Sequence, residues 1–498
     1  MLEILGTPRT MCGGVTRRDF LQVGGLGTLG LSLSEFLRMQ SLLASSDHTS
    51  GPFGKAKSCI LCFPYGSPPQ HETFDPKPEA PDEIRGDYSE AIDTTVSGLQ
   101  IGQGLPELSR VMDRVTVIRS MSHPFPVHGV AYATTGIPNY TPRLEVDPRD
   151  PDHWPFVGSC VDYVMDRVQS SGAPRIPRNI ALPWKMNSKN GGIATAGPYG
   201  AFLGPAYDPV VTEFKGTHTR MIKKTHPAGG KVHDVADPYA GVHPDCWFDI
   251  EGAQLRPEMT VNRLNRRRSL SEQLDSLRSG IEENPSTSGY DRFNEMAYRL
   301  LTGVRMRQAL DVRKVSEKQR RRYGMTLFGQ SCLAARRLVA SGGKFVTVFW
   351  DEIGPINTDW DTHWNQTYRL KDRLLPGFDN GFSALIEDLD DRGMLDETLV
   401  IWMSEHGRTP SFNANAGRDH WSRAYSIVLA GGGVARGRVV GSTDRIAGDV
   451  TENPISPKDI LATIYYLLGI DPELRVGDRF GVPRRIAGEG QVRRELFA

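Results

Sequence analysis

Residues 395–410 read LDETLVIWMSEHGRTP. Residues 398–403 are β-rich and almost continuously apolar, and the run stops at Glu405-His406-Gly407-Arg408. A run that does not alternate marks a strand buried on both faces, as in a parallel sheet covered by helices. Four more stretches share the pattern: KSCILCFP at 57–64, VTVIR at 115–119, KFVTVFW at 344–350 and YSIVLA at 425–430. Helical spacing lies between them, at 330–341 and at 378–392, where Phe382, Leu385, Ile386 and Leu389 make one face and Gly393 a stop. Ser456-Pro457 reads as a helix cap with proline at the first position, followed by Ile460, Ile464, Leu467 and Leu468 on one face and Gly469 as the end. The expected fold class is α/β, with a mostly parallel central sheet flanked by helices.

In open α/β sheets, ligands bind beyond the carboxyl ends of the strands. The run at 57–64 leads to Ser67, Gln70, His71, Glu72 and Asp75, and that at 115–119 to Ser122, His123 and His128. The run at 344–350 leads to Asp351, Glu352, Asp361 and His363; that at 398–403 leads to Glu405, His406 and Arg408, then Arg418, Asp419 and His420. Carboxylates and imidazoles collect at one edge, as a metal-dependent hydrolase requires. Asp361 and His363, two apart on an extended loop, can point the same way; the alternative is an Asx-turn beside a surface histidine. Glu405 and His406 directly follow a buried strand and are candidate ligands, unless Glu405 only pairs with Arg408. His420 is a further candidate ligand. Arg408 and Arg418 are candidate anion clamps, because guanidinium forks match phosphate and sulfate oxygens; an ordinary ion pair is the other reading. Mixed histidine and carboxylate donors favour a divalent metal of the zinc or manganese kind over calcium.

The chain has 498 residues, with 59 basic against 59 acidic side chains. That balance argues against general binding of nucleic acid or anionic membrane. Residues 256–322 nevertheless hold 16 Lys/Arg and 9 Asp/Glu in mostly helical patterns. This stretch reads as a basic helical insertion, either a solvated face or a surface for an anionic glycan or partner. Residues 137–250, rich in Pro, Gly, Trp and Tyr, suit substrate-binding loops. Cys59 and Cys62 form C-x-x-C inside an apolar strand, where residues three apart face opposite ways, so buried thiols are expected rather than a redox or zinc pair. Near the start, Thr16-Arg17-Arg18-Asp19-Phe20-Leu21 precedes a mild, glycine-rich apolar run. Residues 1–44 thus read as a twin-arginine signal, handled by the twin-arginine translocation machinery, with cleavage near Ala44 and a periplasmic or extracellular destination. No other stretch approaches ~18 uninterrupted apolar residues, so no stable membrane span is expected. The expected division is a 1–44 signal, a 55–480 α/β domain with the 256–322 insertion, and a 481–498 tail.

These stretches resemble the sulfatase-like branch of the alkaline phosphatase superfamily, and more closely the exported proteins of domain-of-unknown-function family fifteen-oh-one. The resemblance is carried by QHETFDPKP at 70–78, RSMSHP at 119–124, the segment from His128 to Thr135-Gly136, and YGMTLFGQSCLAARRLVASGGKFVTV at 323–348. It continues in WDTH at 360–363, LDETLVIWMSEHGRTP at 395–410 and GRDHW at 417–421. It implies a sulfatase-like sandwich around a mixed, largely parallel sheet. It also implies a divalent metal, with Glu405-His406 and His420 at the places of the superfamily's Asp–His pair and later His. Asp361 and His363 resemble a third ligand group at tighter spacing. The segment before Thr135-Gly136 departs from the superfamily, since it lacks the C/S-x-P-x-R pattern of a formylglycine sulfatase. Ser122, His128 and Thr134 are the remaining candidates, and His128 is preferred as nucleophile or ligand. The implied activity is hydrolysis of sulfate or phosphate esters, with polysaccharide among the candidate substrates. The alternative is a non-catalytic exported binding or structural protein that keeps the fold with an eroded site.

Overall fold

The computed structural model describes residues 51–498 apart from 89, 126–127, 129, 138–146, 148, 169–175, 191–196, 225–230, 254–259, 261, 267–268, 270–284, 355–358 and 498, with the backbone alone for 130 and 285–291. The twin-arginine segment expected at 1–44 lies outside the described residues. Pro52–Ala498 forms one unit. In chain order its elements are β1 (Ser58–Pro64), β2 (Val115–Met121), α1 (Val157–Val168), β3 (Asn179–Leu182), β4 (Val210–Val211), β5 (Met221–Lys224), β6 (His233–Ala236) and α2 (Leu327–Ala340). They continue with β7 (Phe345–Trp350), α3 (Leu375–Asp391), β8 (Thr398–Trp402), β9 (Gly407–Arg408), β10 (His420–Trp421), β11 (Tyr425–Ala430), β12 (Arg438–Val440) and α4 (Pro457–Leu467).

Eight strands form the central sheet in the order β12-β2-β11-β8-β1-β7-β3-β4. All of its described pairings are parallel except those of β11, which runs against both β8 and β2. The apolar run at 425–430 was expected to be one more strand of a mostly parallel sheet. It is a strand and runs antiparallel: the helices packed on both faces of the sheet bury it whatever its direction, so the pattern reports burial and not polarity. Two apolar cores cover the sheet. One face packs on α2 and α3, with Cys62, Cys332, Phe378 and Trp402 at 2% exposure or less. The other packs on α1 and α4, with Cys59, Phe63, Cys160 and Tyr465 fully buried. The two cysteines of C-x-x-C therefore lie on opposite faces as buried free thiols.

The helices follow from local chemistry. In α4 the Asp459 carboxylate accepts the backbone N–H of Ser456 at 3.1 Å, and Pro457 needs no N–H partner in the first turn. In the 256–322 stretch, Pro285–Thr302, Val304–Leu310 and Glu317–Arg322 are helical. Its charges do not all face water: Arg292 pairs with Asp162 at 2.5 Å, and Arg320 is buried against Gln330 at 2.9 Å. Within the expected 481–498 tail, Ile486, Ala487 and Leu496 belong to the second core. Among the described residues, no helix is long and apolar enough to cross a membrane.

Candidate metal centre

The carboxyl ends of β1, β2, β7 and β8 share one edge of the sheet, and four loops converge there. Each is fixed by packing that its sequence demands. Trp360 is fully buried and sits edge-on to Trp350, Phe378 and Trp402, with ring centroids 5.4, 6.4 and 5.7 Å away. That plug anchors the following residue, Asp361. Gly66, just past β1, has φ of 97°, and a Cβ there would stand 2.3 Å from the backbone nitrogen of Asp361. A Cβ on Gly417 would stand 2.0 Å from the carbonyl carbon of His363, so the loop preceding His420 can lie against the loop bearing His363 only with glycine there. β9 and β10 pair antiparallel, placing Arg408 opposite His420. Gln70 pins β9 by accepting from the Arg408 N–H at 2.9 Å and donating to its carbonyl at 2.8 Å.

Two overlapping donor triads result: Asp361, His363 and His420, and His128, His406 and His420. In the first, His363 Nε2 lies 3.0 Å from His420 Nε2, and Asp361 Oδ1 lies 3.1 and 3.2 Å from those two nitrogens. Three donors at near-equal spacing form a face of a coordination polyhedron. A tetrahedral zinc with bonds of about 2.0–2.1 Å needs its ligand atoms about 3.3 Å apart, so this donor set fits a small divalent cation. The ring tautomers agree. His406 Nδ1 lies 2.8 Å from Gly407 O, which can only accept, so the proton is on Nδ1. Nε2 of this buried ring is left as a lone pair without a hydrogen-bond partner among the described residues. His363 Nδ1 donates to the Asp419 carboxylate at 2.8 Å, which turns its Nε2 lone pair inward. His128 Nδ1 donates to Glu405 Oε1 at 3.1 Å, and its Nε2 lies 3.5 Å from Asp361 Oδ2.

The electrostatics favour neutral rings at His406 and His420 and a charged ring at His128, beside an ionised Asp361. Burial lowers His420 to about 4, with Asp361 opposing the shift and His128 and Arg408 adding to it. Burial, with His420, Arg408 and His128 nearby, holds His406 well below the usual histidine range. Burial opposes ionisation of Asp361, but Arg408, His128 and His363 overcome it and leave the carboxyl well below its ordinary value. Burial also opposes the charge on His128, yet Asp361 and Glu405 raise it to about 10. Glu352 is buried with Oε1 lacking a hydrogen-bond partner among the described residues, and burial, with Asp361 and Asp359 adding to it, raises its pKa well above the usual carboxylate range.

Three expected roles meet a different geometry. Glu405, expected as a ligand, has Oε1 accepting from the Gly66 N–H at 2.8 Å and from His128, and Oε2 accepting from the Ser404 hydroxyl at 2.6 Å. It lies outside both triads and orients His128. Arg408 is fully buried; it donates to Asp361 at 2.6 Å and to the carbonyls of Gly66, Ser67, Trp360 and Arg418. Arg418 is also fully buried; it donates to Glu72 at 2.8 Å and to the carbonyls of Ile84, Thr409 and Pro410. Both guanidinium groups tie loops together instead of facing an open site. The bonds to backbone carbonyls left no trace in the residue pattern. The two triads bring Asp361, His363, His406 and His420 together with His128. Ser122 is tied through its backbone to Ile455, and Thr134 is buried in the helix Val130–Thr135. Asp419 was named only as a neighbour of His420; its hold on His363 spans 56 residues of chain, a separation that spacing cannot reveal.

The family described as "Protein of unknown function (DUF1501)" matches residues 56–497. No curated protein matches the chain. Among solved structures, the PsFucS1 sulfatase from Pseudoalteromonas sp. is 12% identical over 92% of this chain and 79% of its own, with a TM-score of 0.37. Ps i-CgsB in complex with k-i-k-neocarrahexaose is 12% identical over 83% and 72%, with a TM-score of 0.37. The lipoteichoic acid synthase LtaP from Listeria monocytogenes is 10% identical over 88% and 77%, with a TM-score of 0.33. At these scores the likenesses carry no functional argument.

Proposed function

The chain belongs to the DUF1501 family, and from the site itself we propose that it is a metal-dependent hydrolase of sulfate or phosphate esters. The observation that supports this reading most is the convergence of donors: Asp361 Oδ1, His363 Nε2 and His420 Nε2 within 3.0–3.2 Å of one another, beside the unpartnered Nε2 of His406. Asp361, His363 and His420 would hold the cation, with His128 and His406 as the further donors beside them. Glu405 and Asp419 orient their histidines, and Arg408 fixes the Asp361 carboxylate. A bound divalent cation, zinc or manganese in kind, supplies Lewis-acid charge that polarises a sulfuryl or phosphoryl oxygen. His128 can hold a proton at Nε2, 3.5 Å from Asp361 Oδ2, while its Nδ1 donates to Glu405. Ring stacking on Tyr65, with centroids 5.0 Å apart, keeps that imidazole in place.

The test is turnover of a panel of aryl sulfates, aryl phosphates and sulfated polysaccharides by the wild type, with and without chelator. Metal-dependent hydrolysis of one class is expected and lost in Asp361→Ala. Metal binding without turnover of any ester would leave the second reading, an exported binding or structural protein on the same fold. The observation favouring that alternative is the burial of Arg408 and Arg418, which leaves neither at an open site to clamp an anion. Export by the twin-arginine route belongs to the same proposal and rests on Arg17-Arg18 and Phe20-Leu21. Cell fractionation of wild type and an Arg17→Lys, Arg18→Lys variant tests it; equal export of both would refute it.

A further inference from the structure

The excursion after β4 carries a buried charge against the segment that follows β7. Lys224, the last residue of β5, is fully buried. Its Nζ donates to Ile353 O at 2.5 Å and lies 3.8 Å from Asp359 Oδ2. Asp237, one residue past β6, is also fully buried, with Oδ1 accepting from the Tyr239 N–H at 2.9 Å. Arg373 bridges the two acids, with Nε 3.6 Å from Asp237 Oδ2 and Nη2 3.4 Å from Asp359 Oδ1. Arg369 then donates to the carbonyls of Asp359 and Asp361, the latter at 3.1 Å. Five ionisable side chains, each at most 4% exposed, thus join the β5–β6 hairpin to the segment that ends in Asp361.

Such an arrangement is costly as a stability device. A buried ion pair recovers little more than its desolvation cost, whereas losing one partner leaves a charge stranded in the interior. What it supplies is a fixed geometry around Asp359, which is held by Lys224, Arg369 and Arg373, while Arg373 also reaches Asp237. We infer that Lys224, Asp237, Arg369 and Arg373 are positioning residues that act through Asp359 to fix Asp361, and so set the cation affinity of the metal centre. This rests on the metal-centre reading. It gives part of the 137–250 region a purpose different from a substrate loop: the buried Lys224 and Asp237 of an otherwise partly exposed hairpin brace the ligand segment.

Zinc affinity of the full chain, measured by competition with a chromophoric chelator, tests the inference. Lys224→Met should weaken binding about ten- to a hundredfold, the usual effect of disturbing a group behind a ligand, and Asp237→Asn should act in the same direction. In an Asp361→Ala background, where the imidazoles remain, Lys224→Met should cost nothing further, because its effect passes through the missing carboxylate. Unchanged zinc affinity in both folded single variants overturns the inference. So does an equal loss with and without Asp361, which would mark a general loosening of the fold. Should Lys224→Met not fold, Asp237→Asn carries both comparisons. A wild type that binds no zinc refutes the metal centre itself and this inference with it, an outcome distinct from wild-type binding that the variants leave unchanged.

Discussion

His128 lies between two carboxylates, and its proton governs how the centre meets a cation. Asp361 and Glu405 raise it to about 10 despite the opposing effect of burial. Below that value a cation entering the triad of His128, His406 and His420 must displace the proton, and one in the other triad must lie beside it. Affinity for zinc should therefore climb with pH by up to about tenfold per unit, with roughly one proton released per cation bound. Calorimetric titration in buffers of differing ionisation enthalpy measures that release; an affinity flat from pH 6 to 8 with no proton release would contradict the assignment. The sign for folding is opposite. In cation-free protein the protonated His128 stabilises the fold fully below its ordinary value of 6.5, and that contribution fades as pH rises to about 10. None of this could be read from HPFPVHG, since the carboxylates that set the shift lie more than 230 residues away in sequence, at Asp361 and Glu405.

The turn segments hold the ligands more tightly than their short lengths suggest. Gly417 is the sharpest case, because its missing side chain makes room for the carbonyl of His363, a backbone atom that cannot rotate away. Gly417→Ala should cost about 1–3 kcal/mol of stability and weaken metal binding by parting His363 from His420. Thermal melts with and without zinc check it, and a variant with wild-type values of both would show that these loops are not braced against each other. The strands were legible because long, unalternating apolar runs such as CILCF have one physical use, a place inside a covered sheet. β3 and β4 were not: NIAL and VV are too short to show a period. The strand ends pointed to Asp361, His363, His406 and His420. They could not show that Arg408 and Arg418 point into the protein, because direction at a strand end depends on which carbonyls remain unpaired nearby.

For the whole molecule, the charge balance of 59 against 59 hides a division of labour. Many charges are interior and structural, among them Arg408, Arg418, Arg369, Arg373, Lys224, Asp237 and Asp359, all at most 4% exposed. A fold that buries so many charges at one edge of its sheet devotes stability to holding geometry there. A cation that binds only the folded state adds stability in return, about 2.7 kcal/mol at a hundred times its dissociation constant. Elemental analysis of full-length protein purified from its native compartment, as wild type, His406→Ala and His420→Ala, tests whether this edge is a metal centre. About one equivalent or more of zinc or manganese is predicted in the wild type, with a clear loss in both variants; a wild type without stoichiometric metal, or variants that retain all of it, would contradict the metal centre.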